Sequence, residues 1–148
     1  MNKTVLITGV SSGIGLATAQ LLARKGFRVF GTVRKETQAL QGMELVKLDV
    51  TNDAFVSEAV SAVIAKAGPI GSLVNNAGYG LAGAIEETSV AEAQEQFETN
   101  LFGVIRMVNA VLPGMRGQGF GRIVNLSSIL GFIPVSYTHL TLPTTPYV

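Results

Sequence analysis

Hydrophobic and polar positions change period along this chain in a regular order. Lys3-Thr4-Val5-Leu6-Ile7 is a short apolar run that predicts a buried strand. Thr8 to Gly15 (Thr-Gly-Val-Ser-Ser-Gly-Ile-Gly) is a glycine-rich turn. After it Ile14, Ala17, Leu21 and Leu22 recur at helical spacing until Lys25-Gly26 closes the segment. Arg28 to Val33 predicts a second strand, ending at Arg34-Lys35, and Glu44 to Leu48 a third, followed by the capping cluster Thr51-Asn52-Asp53. Val56, Ala59, Val60, Val63, Ile64 and Ala67 then predict a helix burying one stripe, stopped by Gly68-Pro69. Ser72 to Asn75 is a fourth strand. Ser89 and Glu92 form an S-x-x-E capping box that opens a long helical region to about Met115. Gly117 to Gly121 breaks it, and Arg122 to Leu126 is the fifth strand. Strands alternating with helices call for an α/β fold with a doubly wound parallel sheet and right-handed crossovers.

Composition agrees with that architecture and removes several functions. The chain has 148 residues, enough for one domain with a core; 47% are hydrophobic and 14% charged, which suits a sheet covered on both faces. A net charge of +1 gives no electrostatic case for nucleic acid or an anionic membrane. Without cysteine there is no disulfide framework, thiol nucleophile or thiolate metal site. No run approaches the roughly 20 apolar residues of a membrane span, and the first residues enter a strand without a signal-peptide pattern. The expectation is a cytoplasmic chain.

The chemistry concentrates at the glycine turn. Strand, glycine loop and helix together make a dinucleotide site, because glycines let backbone approach a pyrophosphate and the helix N-terminus offers unpaired N–H groups. The spacing is G-x-x-x-G-x-G rather than G-x-G-x-x-G, and a turn that merely joins strand to helix would carry the same glycines. At the end of strand two no acid stands at Thr32 or Val33, and Arg34-Lys35 follows. A guanidinium there admits the 2′-phosphate of NADP(H), and NAD(H) is the less favoured cofactor; a solvated basic pair is the bland alternative.

With these pieces in order, the chain resembles a classical short-chain dehydrogenase/reductase. Thr8-Gly9-x-x-x-Gly13-Ile14-Gly15 is similar to that family's cofactor loop, which assigns Gly9, Ser11, Ser12, Gly13, Ile14 and Gly15 to cofactor binding. Asp49-Val50 resembles its adenine contact and Asn75-Asn76-Ala77-Gly78 its fourth-strand motif. Asn100-x-x-Gly103 resembles the helix with the active-site asparagine, and Ile123 to Ser128 the fifth strand with the catalytic serine at Ser128. Asn76 to Gly80, Glu86 to Ser89 and Leu112 to Arg116 look most like the hydroxysteroid-dehydrogenase-like subset. The resemblance implies a Rossmann-like fold and a homo-oligomeric parent acting on a small alcohol or ketone. It also implies hydride transfer between nicotinamide and a carbonyl carbon. In the family a tyrosine moves the oxygen-bound proton, and a lysine four residues later lowers the tyrosine pKa. The serine positions the oxygen, and the asparagine supports a relay water.

The resemblance stops at that tyrosine. The family would put it about a dozen residues after Ser128, where this chain has Thr141. Tyr137 is too close, and no lysine follows Lys66. The sheet is therefore expected to be truncated after the fifth strand, with residues 1–134 an incomplete NAD(P)-binding domain. Residues 135–148 lack periodicity and resemble a translated sequencing adapter, making a non-native tail in which His139 carries no chemistry. The fragment is expected to be inactive and prone to aggregate. Two other readings remain: a non-catalytic NADP-binding module, and an assembly protein using Phe97, Leu101, Val104, Val108 and Val111 as a partner face. Ordinary sheet packing would explain that second stripe equally.

Overall fold

The computed structural model describes residues 2–35, 37–81 and 85–128. The expectations for Tyr137, His139, Thr141 and the 135–148 tail lie outside the described residues. Five strands, β1 (Thr4–Ile7), β2 (Arg28–Val33), β3 (Glu44–Lys47), β4 (Ser72–Asn75) and β5 (Arg122–Asn125), form one parallel sheet in the order β3-β2-β1-β4-β5. The chain winds outward from β1 to β3, then crosses back to β4 and β5. The order therefore reverses beside β1, where open α/β sheets open a crevice at the strands' carboxyl ends.

Two apolar layers fill the space between sheet and helices. On one face Leu6, Phe30 and Leu73 pack under helix α2 (Asp53–Ala67), through Val56, Ala59, Val60 and Val63, and under helix α4 (Gly103–Gly117), through Met107, Val111 and Met115. On the other face Val5, Ile7, Val29 and Val74 pack with Ala19 of helix α1 (Gly13–Arg24). The expected stripe of α2 holds except at Ile64, which is exposed, while Ala67 beyond it still packs against the core. In α1, of the expected positions Ile14, Ala17, Leu21 and Leu22, only Leu22 packs against the core. Ile14 is 68% exposed and Leu21 is exposed, whereas Gly15 and Ala19 are buried. A helix lying this close to the sheet presents small residues inward, and spacing alone does not tell which of its faces that is.

The long helical region is three pieces. Helix α3 (Val90–Phe97) starts at the expected capping box: Ser89 Oγ accepts from the Glu92 N–H at 3.2 Å, and the Ser89 N–H donates to Glu92 Oε2 at 2.9 Å. A π-turn (Glu98–Phe102) follows and leads into α4. The stripe set aside as a partner face is divided by this change of winding. Phe97 and Leu101 are exposed, Val104 is half-buried, Val108 is half-buried against the core, and Val111 is inside it.

Candidate functional site

The residues singled out in the sequence come together along the carboxyl edge of the sheet. Gly9 to Gly15 follow β1, Arg34 follows β2, Asp49 and Val50 follow β3, Asn76 to Gly78 follow β4, and Ser128 lies exposed just past β5. Asn100 reaches the same edge from the π-turn.

The glycine loop is held from beneath by two threonines. Thr8, buried at the end of β1, uses its Oγ1 to accept the N–H groups of both Asn76 and Ala77 at 2.9 Å. Thr32, buried in β2, accepts the Gly9 N–H on its Oγ1 at 3.2 Å. Asn76, just past β4, also donates through Nδ2 to Thr8 O at 2.9 Å and to Gly9 O at 2.8 Å. Gly9 (φ +71°) lies so close to Ala77 that a Cβ would sit 3.0 Å from its Cα. At Gly15 a Cβ would overlap Gly9 O and Asn76 Nδ2. Gly13 (φ +58°) is the opposite case, since a Cβ there meets nothing within 4 Å. Ser12 stands at the N-cap of α1, yet no side chain caps the helix and its first turn holds no acid. The loop is closed underneath and open above, as an approaching phosphate needs.

At the other end, an open cleft of about 1380 Å³ is lined by Arg34, Asp49, Thr51 and Tyr79 and, from α3 and the π-turn, by residues that include Gln94, Phe97, Glu98, Thr99 and Phe102. Asp49 Oδ1 accepts from the Thr51 N–H at 2.9 Å and from Thr51 Oγ1 at 2.8 Å. The Thr51 backbone bond, with the Thr51 hydroxyl and the Arg34 charge adding to it, holds the Asp49 carboxyl below its ordinary value although partial burial opposes this. Asp49 is thus a charged acceptor in a cleft that also holds the Arg34 cation.

Asn100 uses both ends of its amide on one residue. Its Nδ2 donates to Tyr79 O at 2.8 Å and its Oδ1 accepts the Tyr79 N–H at 3.1 Å. Gln96 Nε2 adds a third bond to Tyr79 O at 3.2 Å. The segment after β4 is therefore pinned to the π-turn. In β4, Asn75 Nδ2 donates to Asn125 Oδ1 across the strand pair at 2.8 Å, while the buried Asn75 Oδ1 has no partner among the described residues. Thr32 and Gln96 are structural contributors that no motif marked, whereas Thr8 stands in the glycine-loop motif as the hydroxyl directly before the first glycine.

Among the described residues no group of His, Asp or Glu could hold a metal ion, and no helix is long and apolar enough to cross a membrane. The chain matches the family model described as short chain dehydrogenase over residues 3–139. It is 44% identical over 135 residues to the 3-ketodihydrosphingosine reductase of Bacteroides thetaiotaomicron, covering 91% of this chain and 50% of the relative. Among solved structures, a short-chain dehydrogenase from Streptomyces avermitilis superimposes with a TM-score of 0.85 at 38% identity, covering 93% of this chain and 53% of that one. ElxO with NADP bound gives a TM-score of 0.84 at 31% identity, covering 93% and 60%. The chain spans about half the length of the curated relatives it matches. The motif order, the parallel sheet and these likenesses agree, and the chain belongs to the short-chain dehydrogenase family of oxidoreductases.

Proposed function

We propose that this chain binds NADP(H) and is the cofactor-holding part of an oxidoreductase that interconverts a small alcohol and its ketone or aldehyde. The observation that carries the reading is the glycine loop, sealed below by Thr8, Thr32 and Asn76 and open above Gly13 and the uncapped start of α1. On this reading Ser11, Ser12, Gly13, Ile14 and Gly15 receive the pyrophosphate, Arg34 the 2′-phosphate, Asp49 and Val50 the adenine, and Asn76, Ala77 and Gly78 the ribose side. The bound nicotinamide would supply hydride chemistry. Ser128 would hold the substrate oxygen, and Asn100 would fix the wall facing it.

Arg34 supports the phosphorylated cofactor because it lines the same cleft as Asp49 and no acid closes β2. NADP bound to a structural neighbour is consistent with this. A second reading for the chain as it stands is a non-catalytic NADP-binding module, since Thr141 stands where the family's tyrosine is expected. The substrate class and a homo-oligomeric state belong to the whole parent enzyme.

Fluorescence titration with NADPH and NADH, followed by turnover assays on a panel of ketones and aldehydes, tests both readings. Saturable binding that favours NADPH, with negligible turnover, is the expected result. Binding of neither dinucleotide would overturn the proposal. Turnover that disappears in Ser128→Ala would overturn the non-catalytic reading.

A further inference from the structure

The π-turn breaks the winding of an otherwise continuous helix, so something must hold it. The Gly103 N–H donates to Glu98 O, five residues back, where an α-helix would use the N–H of Phe102. Arg106 converges on the same carbonyl. Its Nη1 donates to Glu98 O at 3.4 Å, its Nη2 to Glu98 Oε2 at 2.8 Å, and its Nε to Asp53 Oδ1 at 2.8 Å. The side chain is only 21% exposed, and the bond to Glu98 raises its already high pKa, so it is always charged. Asp53 opens α2 three residues after Val50. Gly103 rests directly on Val50, where a Cβ would come within 2.7 Å of Val50 Cγ2. One guanidinium therefore ties the Asp49–Asp53 segment to the turn that carries Asn100.

We propose that Arg106 is a positioning residue for the cofactor cleft, holding the π-turn in the register that sets Asn100 against Tyr79. The inference builds on the cofactor reading above but is tested apart from it. A planar fork reaches two carboxylates and a carbonyl at once, which the single ammonium of lysine does not. If Arg106 merely decorated α4, its loss would matter little, because exposed ion pairs contribute weakly. If it holds the turn, its loss frees Glu98 O to take the Phe102 N–H. The chain then re-registers by one residue, turning Asn100 away from Tyr79.

Hydrogen exchange on the 148-residue chain separates these cases without any ligand. In Arg106→Gln the Tyr79 amide, held by Asn100 Oδ1, should exchange about tenfold faster than in the unaltered chain, beyond any change in the β1 and β4 amides. Val111→Ala, a cavity in the same helix, should raise exchange throughout the core with no excess at Tyr79. Arg106→Lys should give an intermediate effect, and Glu98→Gln added to Arg106→Gln should add little. A Tyr79 amide that only follows the core in Arg106→Gln overturns the inference; should that variant fail to fold, the same result in Arg106→Lys does so. Titration with adenosine 2′,5′-bisphosphate supplies the second arm. Affinity equal in Arg106→Gln and the unaltered chain overturns the inference. No binding to the unaltered chain, alongside the Tyr79 effect, overturns the cofactor reading and leaves the positioning role supported.

Discussion

Asn76 donates twice to Thr8. Its backbone N–H goes to Thr8 Oγ1 at 2.9 Å, and its Nδ2 goes to Thr8 O at 2.9 Å. Two neighbouring strands are thereby locked at the point where the sheet order reverses, and the glycine loop is built on that lock. Thr8 is 1% exposed, so solvent cannot replace either partner.

Thr8→Val keeps the shape but strands the N–H groups of Asn76 and Ala77. Leaving a buried donor unmade costs about 1–3 kcal/mol, so a loss of several kcal/mol is expected. Thr8→Ser, which keeps the acceptor, should cost less than half as much. Urea denaturation of the three proteins measures this, and equal midpoints for Thr8→Val and the unaltered chain would refute it.

Gly13 and Gly15 should differ in what their replacement does. Gly13→Ala meets no atom but must hold φ +58°, a strain of about 1–2 kcal/mol, and its methyl projects into the space offered to phosphate. It should retain the fold and weaken NADPH binding. Gly15→Ala has no room beside Gly9 O and Asn76 Nδ2 and should lose folded protein as well as binding. Circular dichroism together with NADPH titration distinguishes the two outcomes.

Arg34→Asp should reverse the cofactor preference. Removing a charge-assisted bond to a phosphate and placing an acid beside the ribose forfeits about 1.5–3 kcal/mol for NADPH, which is about 10- to 100-fold in affinity. The ratio of NADPH to NADH dissociation constants is the readout. A preference for NADH in the unaltered chain would already defeat the assignment.

Asp49 should give the fold an acid-sensitive component. Its pKa is lower folded than unfolded, so its contribution is complete above the ordinary carboxylate value of about 3.9 and is lost as pH falls through the lower, folded value. Asp49→Asn should flatten the stability profile below about pH 4 and leave its shape near neutrality unchanged. Denaturation midpoints from pH 2 to pH 7 test the sign: the advantage of the unaltered chain over Asp49→Asn should grow as pH rises toward about 4 and then level off, and an advantage that shrinks over that window would contradict it.

The β5 edge should make the chain self-associate. Among the described residues β5 is hydrogen-bonded only to β4, and Val124, 52% exposed, with Leu126 presents apolar side chains beside that open edge. Val124→Lys should shift the population toward monomer in light scattering coupled to gel filtration. A unaltered chain that is already monodisperse at micromolar concentration would sink this expectation.

Much of the scaffold was legible because each layer imposes its own period. Arg28–Val33 and Ser72–Asn75 carry the bounds expected from their apolar runs, and the Ser89–Glu92 box marks the start of α3. These signals are local, since a strand or a cap is specified by residues next to one another. The identities along the carboxyl edge were legible too, as motifs. Their order placed each after its own strand, and parallel winding then brings all strand ends to one side.

Spacing caught only Leu22 on the sheet-facing side of α1, because Gly15 and Ala19 are buried by closeness rather than by hydrophobicity. The π-turn left no local trace, since its brace joins Arg106 to Asp53 across 53 positions of sequence. The same holds for Asn75 with Asn125, 50 positions apart, and for Asn100 with Tyr79, 21 apart. By itself the sequence determined the elements, their order and the chemistry available at the strand ends, all set by short-range pattern. Only the tertiary structure decided how that chemistry is held, because the holding bonds join residues that become neighbours once the sheet has formed.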